Sequence, residues 1–234
     1  IQVRPAQSEL TFDLLLTLRT AEHCVKLRIA ENHTNIVLIE KDDVVLQRQD
    51  AAPSQPANLT DRSCLSVERI LAFAEQVELE AVEPLIQRQL RMNLAIAEEG
   101  LRRDWGANIG YVLLRHNGDG VKNRAKAMAA AGSDARMSGC ELPVCIVSGS
   151  GNQGITASVP VAVYAKELNV GEEKTIRAVL LSNLLTIHLK TGIGRLSAYC
   201  GAVSAGCAAG AAIAWLHGGG YAEIAHTLVN ALAI

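Results

Sequence analysis

Ser148 to Pro160 reads S-G-S-G-N-Q-G-I-T-A-S-V-P, and two folds compete for it. An apolar run, Leu142 to Val147, leads in, and an apolar helix candidate, Ile155 to Leu168, leads out. Taken literally, Gly149-x-Gly151-x-x-Gly154 is the dinucleotide fingerprint, which belongs to a parallel sheet. That fingerprint needs a second strand ending in an acidic residue about 20 residues further on. Pro160 and a helix-patterned run from Glu172 to Lys190 stand there instead. The competing reading is a helical domain whose loop presents hydrogen-bond donors. Gly149, Gly151 and Gly154 admit positive φ and close approach of a ligand to the backbone. Ser148, Ser150, Asn152 and Gln153 add hydroxyl and amide groups without charge. A helix starting near Ile155 points its unpaired N–H groups into the loop, which suits a carboxylate or phosphate. The plain alternative is a glycine-rich turn between two buried elements.

Composition favours helices. In 234 residues, long enough for one large domain or two modest ones, 49% are hydrophobic and only 3% aromatic. The core is therefore built from Ala, Val, Leu, Ile and Gly, which suits closely approaching helices. A net charge of -2 leaves no electrostatic footprint for nucleic acid or an anionic membrane. Six cysteines without tight pairs or a signal peptide fit a reduced, cytoplasmic setting. The chain opens on Ile1 without Met and stops at Ile234 within an apolar helical pattern, and it is expected to be a fragment of a longer polypeptide.

The expected fold class is α+β: a small antiparallel sheet region over 1–50, a linker over 51–58 marked by Pro53 and Pro56, and a larger all-helical domain over 59–234 with a buried Gly/Ala-rich central helix. Val25, Leu27 and Ile29 alternate with Lys26, Arg28 and Ala30. Ile36 to Ile39 and Val44 to Leu46 are further strands around the turn Lys41-Asp42-Asp43, and Thr11 to Leu18 can add another. The connection Glu31 to Asn35 is polar, with His33 either ligand-facing or an exposed turn residue. From Leu59 the period becomes helical. Thr60 or Ser63 is the expected cap of a helix to Val77 that buries Val67, Ile70, Leu71 and Phe73. Pro84 is expected in the first turn of a long helix to Arg103. Gly106 to Gly120 reads as looser chain, Lys122 to Met137 as an Ala-rich helix, and Glu172 to Lys190 as a helix with acids in its first turn. Ser197 to Leu216 has the length of a membrane span. Its Gly, Ala, Ser and Cys content instead marks the central helix of a bundle. Tyr221 to Ile234 begins another helix.

Several groups are candidates for chemistry. Ser133-Asp134-Ala135-Arg136 is a charged patch in a bland helix, able to orient the loop through a carboxylate–guanidinium pair or to be an ordinary surface pair. His188 is a candidate general base, or a histidine favoured by a helix C-terminus. Lys190 and Arg195 look placed for a site, beside Thr191-Gly192-x-Gly194. Cys24, Cys64, Cys140, Cys145, Cys200 and Cys207 lack the tight pairing of a closed zinc site. Most read as small buried hydrophobes, whereas an iron–sulfur cluster takes thiolates from separated segments that sequence does not reveal.

Ser133-Asp134-Ala135-Arg136-Met137, Ser148 to Gly154, and Gly194-Arg195-Leu196-Ser197-Ala198-x-Cys200-Gly201 together resemble the L-serine dehydratase alpha-chain family, in its branch of L-cysteine desulfidase-like proteins. Asn32-His33-Thr34-Asn35 resembles that branch too. The resemblance implies an oxygen-sensitive [4Fe-4S] cluster acting as a Lewis acid, without pyridoxal phosphate. It implies β-elimination from a small amino acid, giving pyruvate and ammonia, with sulfide when cysteine is the substrate. Cys200 matches one cluster ligand. The family's other cluster cysteines match segments beyond Ile234, and its catalytic cysteine a Gly-Cys-Thr-Glu-Pro segment before Ile1, so this chain is expected neither to hold an intact cluster nor to turn over. The loop 148–154 with Asp134, Arg136 and Arg195 is the expected substrate site, His188 and Lys190 are the catalytic candidates present, and a homodimer is the expected assembly. The competing class is a non-catalytic protein that binds a small amino acid or other anion in the glycine-rich loop.

Overall fold

The structure, a computed structural model, describes residues 1–10, 12–31, 34–51, 60–193 and 200–233. The chain forms two compact units, Ile1–Asp61 and Arg62–Ile234. The expected linker lies almost wholly in the undescribed stretch 52–59, and Asn32 and His33 of the polar connection are also outside the described residues.

In the first unit, β1 (Asp13–Arg19), β2 (Cys24–Ala30), β3 (Ile36–Lys41) and β4 (Val44–Arg48) form an antiparallel sheet in the order of the chain. The period-2 pattern sets the register. Leu14 lies opposite Ile29, Leu16 opposite Leu27 and Leu18 opposite Val25, so one face is apolar. Lys26 and Arg28 emerge on the other face, where they pair with Glu40 and Asp13. Asp42 and Asp43 carry the β3–β4 turn with φ of 51° and 62°, the left-handed pair that a two-residue hairpin of this twist demands.

Hydrogen bonds from Arg28, 2.6 and 2.8 Å, and then from Ser8 hold the Asp13 carboxyl at about 2, below its ordinary 3.8. A carboxyl depressed by folding stabilises above its unfolded pKa, and that contribution is lost as pH falls through the folded value. The Asp13 carboxyl is expected to titrate near pH 2 when followed by NMR, and to move back toward 3.8 in Arg28→Ala. A midpoint unmoved by that substitution would assign the depression to another cause.

The second unit contains α1 (Val67–Gln76), α2 (Leu79–Arg102), α3 (Ile109–Asn117), α4 (Val121–Met137), α5 (Gly151–Glu167), α6 (Glu172–Ile193), α7 (Gly201–Leu216) and α8 (Tyr221–Leu232). Neither Thr60 nor Ser63 caps α1. Ser66 does, its Oγ accepting the Arg69 N–H at 3.2 Å. Phe73 is 48% exposed, because it sits about 160° around the helix from Leu71, at the edge of the stripe that Ile70, Leu71 and Ala74 bury. α2 begins at Leu79, so Pro84 falls in its second turn rather than its first. The Glu80 carbonyl that loses its partner belongs to an exposed residue, where water replaces the missing bond. The region read as loose, Gly106 to Gly120, holds α3. A carboxylate from α4 supplies its N-terminal acceptor: Asp134 Oδ2 receives the Ile109 N–H at 2.8 Å.

α7 is the small-sided helix at the centre of this unit. Ala205, Ala208, Ala209, Ala211 and Ala212 are buried, and α5, α6 and α8 pack on three sides. Side chains no larger than methyl let neighbouring helix axes approach closely. Val203 and Gly206 mark an open strip along it, and Ser197 to Tyr199 of the expected helix lie outside the described residues. Among the described residues no helix is long and apolar enough to cross a membrane. α5 packs against α2, α4, α6 and α7, and its first turn meets Arg136 of α4, Gly201 of α7 and Gln89 of α2.

Candidate functional site

The loop is a tight hairpin running straight into α5. Val147 and Ser150 exchange both backbone bonds at 3.2 Å, with Ser148 and Gly149 at φ of 49° and 89° between them. Gly149 is where glycine's freedom is needed. The helix starts at Gly151, four residues before the expected Ile155, because the hairpin already aligns the chain for its first turn. The first intrahelical bond runs from the Gly154 N–H to the Ser150 carbonyl, leaving the N–H groups of Gly151, Asn152 and Gln153 ahead of it. Ser150, at the N-cap, makes no side-chain cap bond. The positive end of α5 is thus open toward the loop.

Arg136 stands at this end. Its Nη1 donates to Asn152 Oδ1 at 3.1 Å, and its guanidinium occupies the space that a side chain on Gly151 would fill. Among the described residues it has no carboxylate partner, its other contact being the Met137 sulfur at 3.6 Å. Asp134, two positions earlier on α4, points to the opposite side, where it serves α3. Helix neighbours two apart diverge in this way, which is why the expected carboxylate–guanidinium pair does not form. A guanidinium beside a helix N-terminus, without a counter-charge, is a repulsive arrangement that a bound anion relieves.

Beneath the loop lies a buried polar network that the sequence reading did not find. Asn93, fully buried on α2, satisfies both backbone groups of Cys145: its Oδ1 accepts the Cys145 N–H at 2.9 Å, and its Nδ2 donates to the Cys145 carbonyl at 3.2 Å. The same Nδ2 reaches Ser158 Oγ at 3.1 Å, and Ser158 donates to the Gly154 carbonyl at 2.8 Å. Gln89 and Asn183 exchange side-chain bonds at 2.6 and 3.1 Å, with Gln89 also donating to the Gly154 carbonyl at 3.4 Å. The signal in the sequence was Gln89 and Asn93 standing between Ile86 and Ile96 on the inward stripe of α2, polar groups where a helix buries apolar ones.

Gln153 joins this site to α7. It is 5% exposed, and its carboxamide packs directly on Gly201, filling the place of any side chain there. Gly201 is the first residue of α7 and Cys200 is its N-cap, with an exposed thiol. The loop and Cys200 are therefore separated by a single side-chain contact. Arg195 and its neighbours from Gly194 to Tyr199 lie outside the described residues.

The C-terminal part of α6 approaches from beneath, where Ile187 packs against Val147, Ala157 and Ala205. His188 is half-buried and Lys190 is 8% exposed. Neither side chain hydrogen-bonds to the loop or to Cys200 among the described residues. Cys207 is buried two turns along α7, and burial pushes its thiol up. Cys145 directs its sulfur to Met92, 3.6 Å away. Cys64 is exposed, Cys140 half-buried, and Cys24 belongs to the sheet unit. Among the described residues no three His, Cys, Asp or Glu side chains gather to hold a metal ion. Beside the loop the donor set therefore offers one exposed thiol, Cys200, and does not by itself fit a cluster.

Residues 16–234 match the serine dehydratase alpha chain family. The chain is similar to the UPF0597 protein of Desulfitobacterium hafniense, 57% identical across all of this chain and 54% of that protein. It is similar to the UPF0597 protein of Lachnoclostridium phytofermentans at 48% identity, over 99% of this chain and 55% of the relative, and to that of Treponema denticola at 49%, over 87% and 49%. The chain thus spans about half the length of the curated relatives it matches. No solved structure matches it. With the hairpin, the open helix end and the family's match over nearly the whole chain in view, this protein belongs to the serine dehydratase alpha-chain family.

Proposed function

We propose that the N-terminus of α5, with Arg136, holds the α-carboxylate of a small amino acid, and that the intact protein is a lyase eliminating the β-substituent of L-cysteine or L-serine. The observation that carries this reading is the guanidinium at an uncapped helix N-terminus with no carboxylate partner among the described residues. Three backbone N–H groups and a fixed cation make a preorganised anion site, worth most where water is excluded. The network of Gln89, Asn93 and Ser158 holds that turn against Cys145, so the donors need no reorganisation when the ligand arrives. Elimination from such a substrate removes the Cα proton and expels thiol or hydroxyl to give 2-aminoacrylate, whose imine tautomer is hydrolysed by water to pyruvate and ammonia.

In this family a [4Fe-4S] cluster supplies the Lewis acid for the leaving group. Cys200 would be one ligand in this reading, and since the described residues bring no second cysteine to it, the cluster would belong to the intact protein, proposed to be cytoplasmic and homodimeric. His188 and Lys190 remain proposed proton-transfer groups, on the support that α6 reaches the underside of the loop.

Two measurements test the reading. Calorimetry with L-cysteine and L-serine on this chain is expected to show binding that weakens roughly tenfold to a hundredfold in Arg136→Gln, the range for a charge-assisted hydrogen bond. Binding indifferent to Arg136 would overturn the carboxylate assignment. Full-length protein reconstituted without oxygen is expected to show cluster absorbance and amino-acid-dependent pyruvate release. Binding with neither of these would identify an amino-acid sensor instead.

A further inference from the structure

Gln153 Oε1 is, among the described residues, the one buried side-chain acceptor without a hydrogen-bond donor. Nearby acceptors are occupied: Asn152 Oδ1 by Arg136, Asp134 Oδ2 by Ile109 and Gln89 Oε1 by Asn183. Leaving a buried acceptor empty is unfavourable, so such a group calls for a donor from the protein, a water or a ligand. This one sits in the first turn of α5, beside the open helix end, and is wedged against the first residue of α7. Gly201 has no side chain to displace it.

We infer that the Gln153 carboxamide is a specificity-determining group that receives the α-ammonium of a zwitterionic ligand while the helix end and Arg136 hold its carboxylate. The inference rests on the carboxylate assignment proposed above and adds the second half of the ligand. The chemistry of the acceptor carries it. An ammonium brings donors and no acceptor, so it matches an oxygen that lacks a donor. Among the described residues no carboxylate hydrogen-bonds to the loop or to Arg136, Asp134 being engaged at α3, so a neutral acceptor has this task. A neutral partner also avoids cancelling the positive field that holds the carboxylate. The carboxamide's last torsion is broad and two-fold, so a half turn exchanges oxygen and nitrogen within the same volume and can turn the oxygen toward the ligand. The site is thereby tuned for α-amino acids against the same acids without the amino group.

Calorimetry on the 234-residue chain tests this with L-serine and L-cysteine against 3-hydroxypropionate and 3-mercaptopropionate, which lack only the α-ammonium. The amino acids are expected to bind roughly tenfold to a hundredfold more tightly, the span of a hydrogen bond to a charged group. Gln153→Met keeps the volume and removes the acceptor, so it is expected to bring the amino acids down to the level of the des-amino acids and leave the latter nearly unchanged. Equal binding of both ligand classes to the unaltered protein, or a preference that survives in Gln153→Met, overturns the inference while leaving the carboxylate assignment standing. Binding of neither class removes both. Should Gln153→Met not fold, the 15N-labelled side-chain amide of Gln153 in the unaltered protein decides. It is expected to shift with L-serine and not with 3-hydroxypropionate, and the same shift with both ligands overturns the inference.

Discussion

Gly154→Ala is expected to destabilise the helical unit by about 3 kcal/mol or more, because the new methyl group would overlap the Cys145 carbonyl oxygen and press on Ile146 Cα. Neither obstacle is a side chain able to rotate away. Asn93 clamps the Cys145 backbone from one side, and Gly154 already receives Ser158 and Gln89 on its carbonyl from the other. Relief requires α5 to lift off the 142–147 segment, which opens the first turn and moves the donors of the anion site. In a unit of this size, about 3 kcal/mol corresponds to a fall in melting temperature of roughly 6–12 °C. Differential scanning calorimetry gives the loss directly, and binding of L-cysteine should weaken with it. A variant as stable as the parent would mean that the contact between α5 and the Cys145 segment is slack.

Asn93→Ala is the second large effect, expected at about 3–5 kcal/mol. It empties a fully buried position and strips the partners from both the N–H and the carbonyl of Cys145, while Ser158 loses a donor. Orphaning buried polar groups costs more than the hydrogen bonds themselves contribute, because neither group regains water. Asn93→Asp separates two parts of this cost. Its carboxylate can still accept the Cys145 N–H but cannot donate to the Cys145 carbonyl, and it places a charge at a buried position whose partners among the described residues are the Cys145 backbone and Ser158, not a cation. It is expected to be at least as damaging near neutral pH and to recover partly as the solution is acidified toward protonation of that group. Chemical denaturation, with hydrogen exchange at the amides of 145–154, checks both variants. Exchange in the loop unchanged by Asn93→Ala would show that the hairpin holds itself.

Much of the fold was legible locally. Alternation in Val25 to Ala30 gives β2, and the pair Asp42-Asp43 gives its neighbours a turn. Gly and Ala at close intervals after Cys200 give a helix that its neighbours can approach. The errors lay at boundaries and in polar positions. Ser66 rather than Ser63 capped α1 because a cap depends on which N–H it meets, and α3 escaped notice because Asp134, far along the chain, supplies its acceptor. Of the candidate site, the loop and Arg136 were visible as residue types. The underlying carboxamides were not, since Gln89 and Asn93 look in sequence like breaks in an apolar stripe.

The sequence by itself determined a glycine-rich turn at 148–154, a helix after it and the family, because these depend on backbone freedom, periodicity and motif, all written within short windows. Only the tertiary structure decided that Asp134 turns away while Arg136 turns in, that Asn93 pins Cys145, and that Gln153 rests on Gly201 beside Cys200. Those outcomes follow from how α2, α4, α5 and α7 pack. A side chain's partner is set by the rotation of its helix against a neighbour distant in sequence, and no local pattern encodes that rotation.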